Sequence, residues 1–223
     1  MRAAAPIPAK AARRLVLFAG VLLASAAIPS TALATGGNFT IVGGNAFERS
    51  QVHQALAASS FNWSVVPGWI AITITPEPVS QALPGKIFLD PELLDAGQFS
   101  WGVVQHEYAH QVDFFLLSDD ARSQIEDALG GTVWCYGDAV LPHSEYGCER
   151  FASTLAWAFW QSPSNSMSPA AIGGESSGMA PAAFRALITS ILGASSVQAQ
   201  AATTVANGSP RYAPVVPPAR RRR

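Results

Sequence analysis

Two of the four histidines in this 223-residue chain stand four residues apart, and a glutamate directly follows the first: His106, Glu107 and His110 in QHEYAHQ. Residues at positions i and i+4 of an α-helix lie one turn apart on the same face, so two such imidazoles can bind one metal ion. Zinc accepts imidazole nitrogens readily, and a catalytic zinc site has three protein ligands and a water. The neighbouring glutamate can take a proton from this water as it attacks a carbonyl. The alternative is a helix that carries two histidines by chance.

The residues around the pair predict the helix that such a site needs. Apolar residues recur at spacings of three and four, which is a helical period, and form one stripe: Trp101, Val104, Tyr108, Val112 and Phe115. His106 and His110 are each two residues from Tyr108, a rotation of about 200° around the helix. We therefore predict that the stripe anchors the helix in the core and that the imidazoles face a space on its other side.

The pentapeptide HEYAH resembles the HExxH motif of the zincin superfamily of zinc metallopeptidases, and the resemblance extends from about Lys86 to Trp160. It implies an α+β, zincin-like fold in which a small N-terminal β-sheet is followed by the active-site helix and further helices. It also implies Zn²⁺ as cofactor, a peptide or protein as substrate, and Glu107 as the general base. In zincins the strand at the edge of the cleft pairs with extended substrate, and GKIFLD (85–90) is the candidate here.

The third metal ligand distinguishes the branches of this superfamily. Metzincins have a glycine three residues after the second histidine and a ligand three residues further, but Asp113 and Leu116 stand there. Gluzincins take a glutamate from a later helix, and Glu149 in CERFASTLAW resembles that pattern. The competing ligands are Glu145, His143 and Asp138, and the alternative role of Glu149 is that of an exposed helix residue.

The predicted helix around Glu149 supports this assignment. Its small residues Ala152, Ser153 and Ala156 share a face with Glu149, which allows a close approach to the motif helix. The buried stripe of the same helix is Phe151, Leu155 and Phe159. Some gluzincins carry an aspartate where this chain has Ser153, so the partner of the ligands at that position differs.

Several other residues near the motif have a predicted role. Asp113 lies one turn beyond His110, where it can accept a ring N–H or stand exposed. In a secreted protein two cysteines at close range favour a disulfide, which would hold the third-ligand helix, and zinc ligation by cysteine is the lesser alternative. These cysteines are Cys135 and Cys148. The oxyanion of the transition state needs a further donor, for which the candidates are Tyr136, His143, Tyr146 and Arg150.

The remaining strands and helices are predicted from their residue types and from the residues that bound them. Strands are predicted at NFTIV, WIAITIT and GKIFLD, which are rich in β-branched and aromatic residues. A short helix is predicted at 48–60, with His53 exposed on it. Further helices are predicted at 118–129, with Ser118 as N-cap, at 144–160, and at 181–192, with Pro181 at its start and Gly193 past its end.

The two ends of the chain differ from its middle. Residues 1–34 combine a basic leader, an apolar run and the ALA cleavage pattern, which predicts a signal peptide cleaved near Ala34, so we expect a secreted or envelope-associated protein. The region 35–195 is one domain with five basic and fifteen acidic residues, a net charge of −10 that disfavours nucleic-acid binding. The tail 196–223 is predicted to be disordered and ends in four arginines. These arginines are either solvated or in contact with an anionic envelope polymer or membrane.

The predicted function is that of a small secreted zinc metallopeptidase with metal ligands His106, His110 and Glu149 and with Glu107 as the base. Two alternatives come from other classes. One is a non-catalytic zinc-binding envelope protein on a zincin scaffold, which would not need Glu107. The other is a zinc amidase that acts on cell-wall peptides.

Overall fold

The computed structural model describes residues 37–76, 79–135, 140–169 and 179–196. The predicted signal peptide lies outside the described residues, as do Tyr136, Asp138 and the predicted tail apart from Ser196. The fold of the described part is mixed α+β, with one four-stranded sheet and six α-helices. None of these described helices combines the length and the apolar character that crossing a membrane requires.

The four strands lie in the spatial order β1-β2-β4-β3. Strand β2 pairs with β1 and β4 in parallel, and β3 runs antiparallel to β4 at the edge of the sheet. The bounds are β1 Phe39–Gly43, β2 Ile70–Ile74, β3 Gln81–Leu83 and β4 Lys86–Leu89. The predicted strands correspond to β1, β2 and β4, so all three are confirmed.

The prediction that GKIFLD lies at the edge of the sheet is wrong. Strand β4 is internal, and the edge belongs to β3, which was not predicted. A strand of three residues is too short to show an alternating pattern. The sequence feature that indicates β3 is the Pro84-Gly85 pair. Leu83 pairs with Lys86, so these two residues form the turn that joins β3 to β4.

The six helices pack against one another, and α3 also packs against the sheet. Their bounds are α1 Ala46–Ala58, α2 Pro91–Asp95, α3 Gln98–Leu116, α4 Asp119–Leu129, α5 Gly147–Phe159 and α6 Pro181–Leu192. Helix α1 begins two residues before its predicted start because the Asn45 side chain accepts from the backbone N–H of Glu48 in a capping box. Helix α5 begins three residues after its predicted start, since His143–Glu145 forms a 3₁₀ turn. The predicted bounds of α6 and the Ser118 cap of α4 are confirmed.

Helix α3 lies between the sheet and α5. Its predicted stripe is buried at Val104, Tyr108 and Val112, and the Tyr108 ring lies 5.2 Å from that of Trp63. Phe115 does not continue the stripe. It is 42% exposed because the helix ends one residue later, and Leu117 enters the core instead.

Candidate metal centre

Three side chains converge on one point between α3 and α5. The Nε2 atoms of His106 and His110 are 3.1 Å apart, and they lie 3.0 Å and 3.3 Å from Oε2 of Glu149. All three residues are buried, at 5%, 6% and 2% exposure. Two donors that bind one tetrahedral zinc ion at about 2.0–2.1 Å are about 3.3 Å apart. The donor set and its spacing therefore fit a metal ion.

The local sequence explains how each helix delivers its ligands. The two histidines lie one turn apart on α3, and Glu149 occupies the first turn of α5. The face of α5 next to Glu149 consists of the small residues Ala152, Ser153 and Ala156, all of them fully buried. Small side chains allow two helix backbones to approach closely, so a short carboxylate reaches the imidazoles.

The hydroxyl of Ser153 contacts the ring nitrogen of His106 that lies away from Glu149. Nδ1 of His106 lies 3.0 Å from Oγ of Ser153, and the Ser153 hydroxyl is within 3.4 Å of Sδ of Met167. A hydroxyl oxygen that accepts the Nδ1 proton leaves the lone pair of Nε2 directed at the ion. Ser153 thus supplies a neutral hydrogen-bond partner for His106.

The pKa values of the two carboxylates in the site are shifted in opposite directions. Burial raises the pKa of Glu107, although His106 and His110 act against this rise. Burial also acts to raise the pKa of Glu149, but its hydrogen bonds with His106 and His110 prevail and hold the pKa well below its usual range. A carboxylate that stays ionised suits a metal ligand, and one that takes up a proton readily suits a base.

The alternative third ligands have other positions. Oε2 of Glu145 accepts a hydrogen bond of 2.6 Å from Oγ1 of Thr132, away from the group. His143 is half exposed, with Nε2 3.5 Å from Oε2 of Glu149. His143 lies beside the three ligand atoms and lines the cleft above them.

Both roles predicted for Asp113, a bond to a histidine ring and an exposed position, are wrong, since the residue is 2% exposed. Its carboxylate accepts from Nε of Arg122 at 2.8 Å and from Nε1 of Trp134 at 3.2 Å, so these side chains take the place assigned to a histidine. Two of the other oxyanion candidates, Tyr146 and Arg150, do not line the cleft. The Tyr146 hydroxyl accepts from the N–H of Leu141, and Arg150 donates to the carbonyl of Ser144. Of the candidates in the described residues, His143 is the one that lines the cleft.

A tethered segment holds the start of α5 in place. The predicted disulfide between Cys135 and Cys148 is confirmed. The N–H of Cys148 donates to the carbonyl of Trp134, and the N–H of Gly147 donates to that of Val133, at 2.6 Å and 2.8 Å. Trp134 was not identified from the sequence, where nothing links it to Asp113, yet it connects α3 to the residues just before Glu149.

The group of His106, His110 and Glu149 opens into a cleft of about 410 Å³ between α3 and the edge strand β3. Glu107 and the three ligand residues lie at its base, and Gln81, Ala82 and Leu83 of β3 form one wall. No family model, curated protein or solved structure matches this chain.

Proposed function

We propose that this protein is a zinc-dependent metallopeptidase of zincin type with a gluzincin ligand set, exported from the cell that makes it. One observation carries the proposal: a buried His106, His110 and Glu149 group shares an open cleft with Glu107. A site that only holds a structural ion is normally closed with four protein ligands, whereas three ligands beside an open cleft leave room for a substrate. The disulfide is compatible with an oxidising compartment.

His106, His110 and Glu149 would hold the ion. When bound, zinc supplies Lewis-acid chemistry, since it polarises a carbonyl and makes water a better nucleophile at neutral pH. Glu107 takes the proton from the attacking water and passes it to the departing amine, a role that suits a carboxylate whose pKa burial raises. His143, at the cleft wall, is the residue placed to donate to the developing oxyanion.

The edge strand would align the substrate. Leu83 and Lys86 flank the two-residue turn, so Ala82 pairs with Ile87 at the next, non-hydrogen-bonded position. In an antiparallel ladder the N–H and C=O of such a residue point away from the partner strand. The peptide groups of Ala82 therefore face the open edge and can bind an extended chain across the cleft.

Four substitutions test the proposal through metal content and peptide hydrolysis. Glu107→Gln keeps the shape but removes the proton acceptor, so zinc stays bound while turnover of a casein-like substrate falls about 100-fold or more. His110→Ala and Glu149→Ala each remove a ligand, so zinc and activity are lost together. Glu145→Ala is the matched control, since this glutamate lies four residues before Glu149 and outside the metal-binding group.

Three results would contradict the proposal. Loss of zinc from Glu145→Ala with zinc retained in Glu149→Ala would show that the third ligand is misassigned. Unchanged zinc content in all four variants would show that QHEYAHQ is a helix with two histidines. A protein that binds zinc but hydrolyses no peptide, with Glu107→Gln indistinguishable from wild type, would be a non-catalytic zinc protein.

A further inference from the structure

We infer that the proposed peptidase is an endopeptidase that cuts an extended polypeptide between apolar side chains, an inference that rests on the proposed function. The cleft continues on both sides of Glu107. Beyond the first cavity a second one of about 320 Å³ shares four lining residues with it: Ser80, His106, Glu107 and His143. A chain that passes the base can therefore extend in both directions.

The two sides of the cleft have mostly apolar walls. Beyond His110 the wall includes Leu83, Pro84 and Phe114, and the Phe114 ring stacks on His110 at a centroid distance of 6.2 Å. On the other side it is formed largely by Val79, Leu93, Val103 and Met167. Apolar walls select apolar side chains because they gain from burial and cannot satisfy a charge.

A carboxypeptidase would need a strong cation for the terminal carboxylate, and no lysine or arginine of the described residues lines either cavity. Residues 37–196 contain five basic side chains, including the segments that the structure does not describe. Each of the four arginines donates to a group of the protein. Arg49 donates to the carbonyl of Gly43 and Arg122 to the carboxylate of Asp113. Arg150 donates to the carbonyls of Ser144 and Leu129, and Arg185 to that of Ala158. Lys86 is exposed on β4 and does not line either cavity.

The acidic groups of the cleft act against acidic substrates. Asp90 lines the second cavity, and its Oδ1 accepts from the N–H of Glu92 to cap α2. A peptide with a blocked amine tests whether the other oxygen of Asp90 binds a free terminal amine. The net charge of −10 over residues 35–195 also repels anionic side chains. The favoured substrate is therefore an internal apolar segment of an unfolded or flexible protein.

The first experiment uses the mature zinc-loaded protein and an internally quenched ten-residue peptide with an apolar centre. We expect the peptide blocked by acetyl and amide groups to be cleaved internally at about the rate of the free peptide, because neither terminus is bound. Aspartate on either side of the scissile bond should lower kcat/KM about 10-fold or more, because it places a charge against an apolar wall.

Two matched pairs of variants test the walls. Phe114→Ala should lower kcat/KM about 10-fold for a large apolar residue at the cut and less for alanine there, whereas Phe115→Ala, one residue along and 42% exposed, should change neither. Val79→Glu, in the second cavity, should reduce cleavage of the apolar peptide. The same variant should increase cleavage of a peptide in which lysine replaces an apolar residue. Val42→Glu is its control, since Val42 and Val79 are 60% and 66% exposed and Val42 lies on β1 at the opposite edge of the sheet.

The outcomes separate this inference from the proposed function. Cleavage that requires a free amine or a free carboxylate, or equal rates for apolar and aspartate peptides, would overturn the inference and leave the peptidase standing. Equal effects within both matched pairs would overturn the assigned walls. Zinc-loaded protein that cleaves none of these peptides, nor a generic casein, would overturn the proposed function and the inference together.

Discussion

The two helices that supply the candidate metal ligands are held in position by different parts of the structure. Helix α3 carries His106 and His110 within one helical turn and packs Val104, Tyr108 and Val112 into the core. Helix α5 carries Glu149 in its first turn, where no side chain caps the helix. The relative position of the two histidines follows from helix geometry, but the position of Glu149 relative to them depends on contacts between distant residues.

Those contacts form a path from α3 to the start of α5. Trp134 donates from its indole to the buried carboxylate of Asp113, one turn beyond His110. Its carbonyl accepts from Cys148, and Cys148 is joined to Cys135. At Gly147 an added Cβ would lie 3.0 Å from the Trp134 ring, so the indole packs directly on the first residue of α5. This comparison predicts that changes along the path weaken metal binding without touching a ligand.

Removal of the disulfide should have the largest effect. The double variant Cys135→Ser, Cys148→Ser opens a loop with a sequence separation of 13 residues, and in the chain-entropy model this lowers the free energy of unfolding by about 3 kcal/mol. Zinc affinity should fall as well, because Cys148 directly precedes Glu149. Urea unfolding and zinc titration measure the two effects, and reduced wild-type protein should behave like the variant. Unchanged zinc affinity in both would show that the bridge does not hold the ligand.

Trp134→Phe should have the next largest effect. It keeps an aromatic ring beside Phe151 but removes the indole donor to Asp113, which is 2% exposed. We expect a loss of about 1–2 kcal/mol in the free energy of unfolding and weaker zinc binding at temperatures where the variant is fully folded. Trp69→Phe, at a residue 70% exposed, is the control and should change neither quantity. A Trp134 variant that is less stable yet binds zinc like wild type would limit Trp134 to a structural role.

Ser153→Ala tests a contact by which α5 supports a ligand of α3. Loss of the hydroxyl beside Nδ1 of His106 should weaken zinc binding about 10-fold, the effect of losing a partner of a metal-bound histidine. The matched control is Ser190→Ala, an exposed serine of α6 whose hydroxyl donates to the carbonyl of Leu187 in the same helix. Equal zinc affinities for the two variants would remove Ser153 from the support of the site.

Glu145→Ala should have the smallest effect. It removes the hydrogen bond from Thr132, on the same path but close to solvent, so we expect a change below about 0.5 kcal/mol in the free energy of unfolding and no change in zinc affinity. Thermal unfolding and metal titration measure both. A large loss of zinc affinity here would mean that the 3₁₀ turn at His143–Glu145, and not only the segment 132–135, positions Glu149.

Local patterns predicted most of the helices and three of the four strands. The Ser118 cap, the Pro181 start and the Gly193 stop are set by residues next to the element they bound, so α4 and α6 were predicted closely. The Asn45 capping box of α1 and the Asp90 cap with Pro91 of α2 are local signals that the prediction did not use, whereas β3 has only the turn that follows it and the start of α5 has no such signal. Strand β3 has three residues, and the start of α5 moves because the turn at His143–Glu145 is bonded to the distant residue Thr132, whose backbone N–H and hydroxyl both donate to Glu145.

The sequence by itself determined that His106, Glu107 and His110 belong to one helix turn, because an i, i+4 spacing has the same consequence in every α-helix. It also placed Glu149 on a face of small residues that can approach another helix. Only the tertiary structure decided that this carboxylate, and not Glu145, meets the two imidazoles, that Ser153 supports His106, and that β3 forms the wall of the cleft. Those choices depend on packing between residues far apart in the chain, which a periodic pattern does not encode.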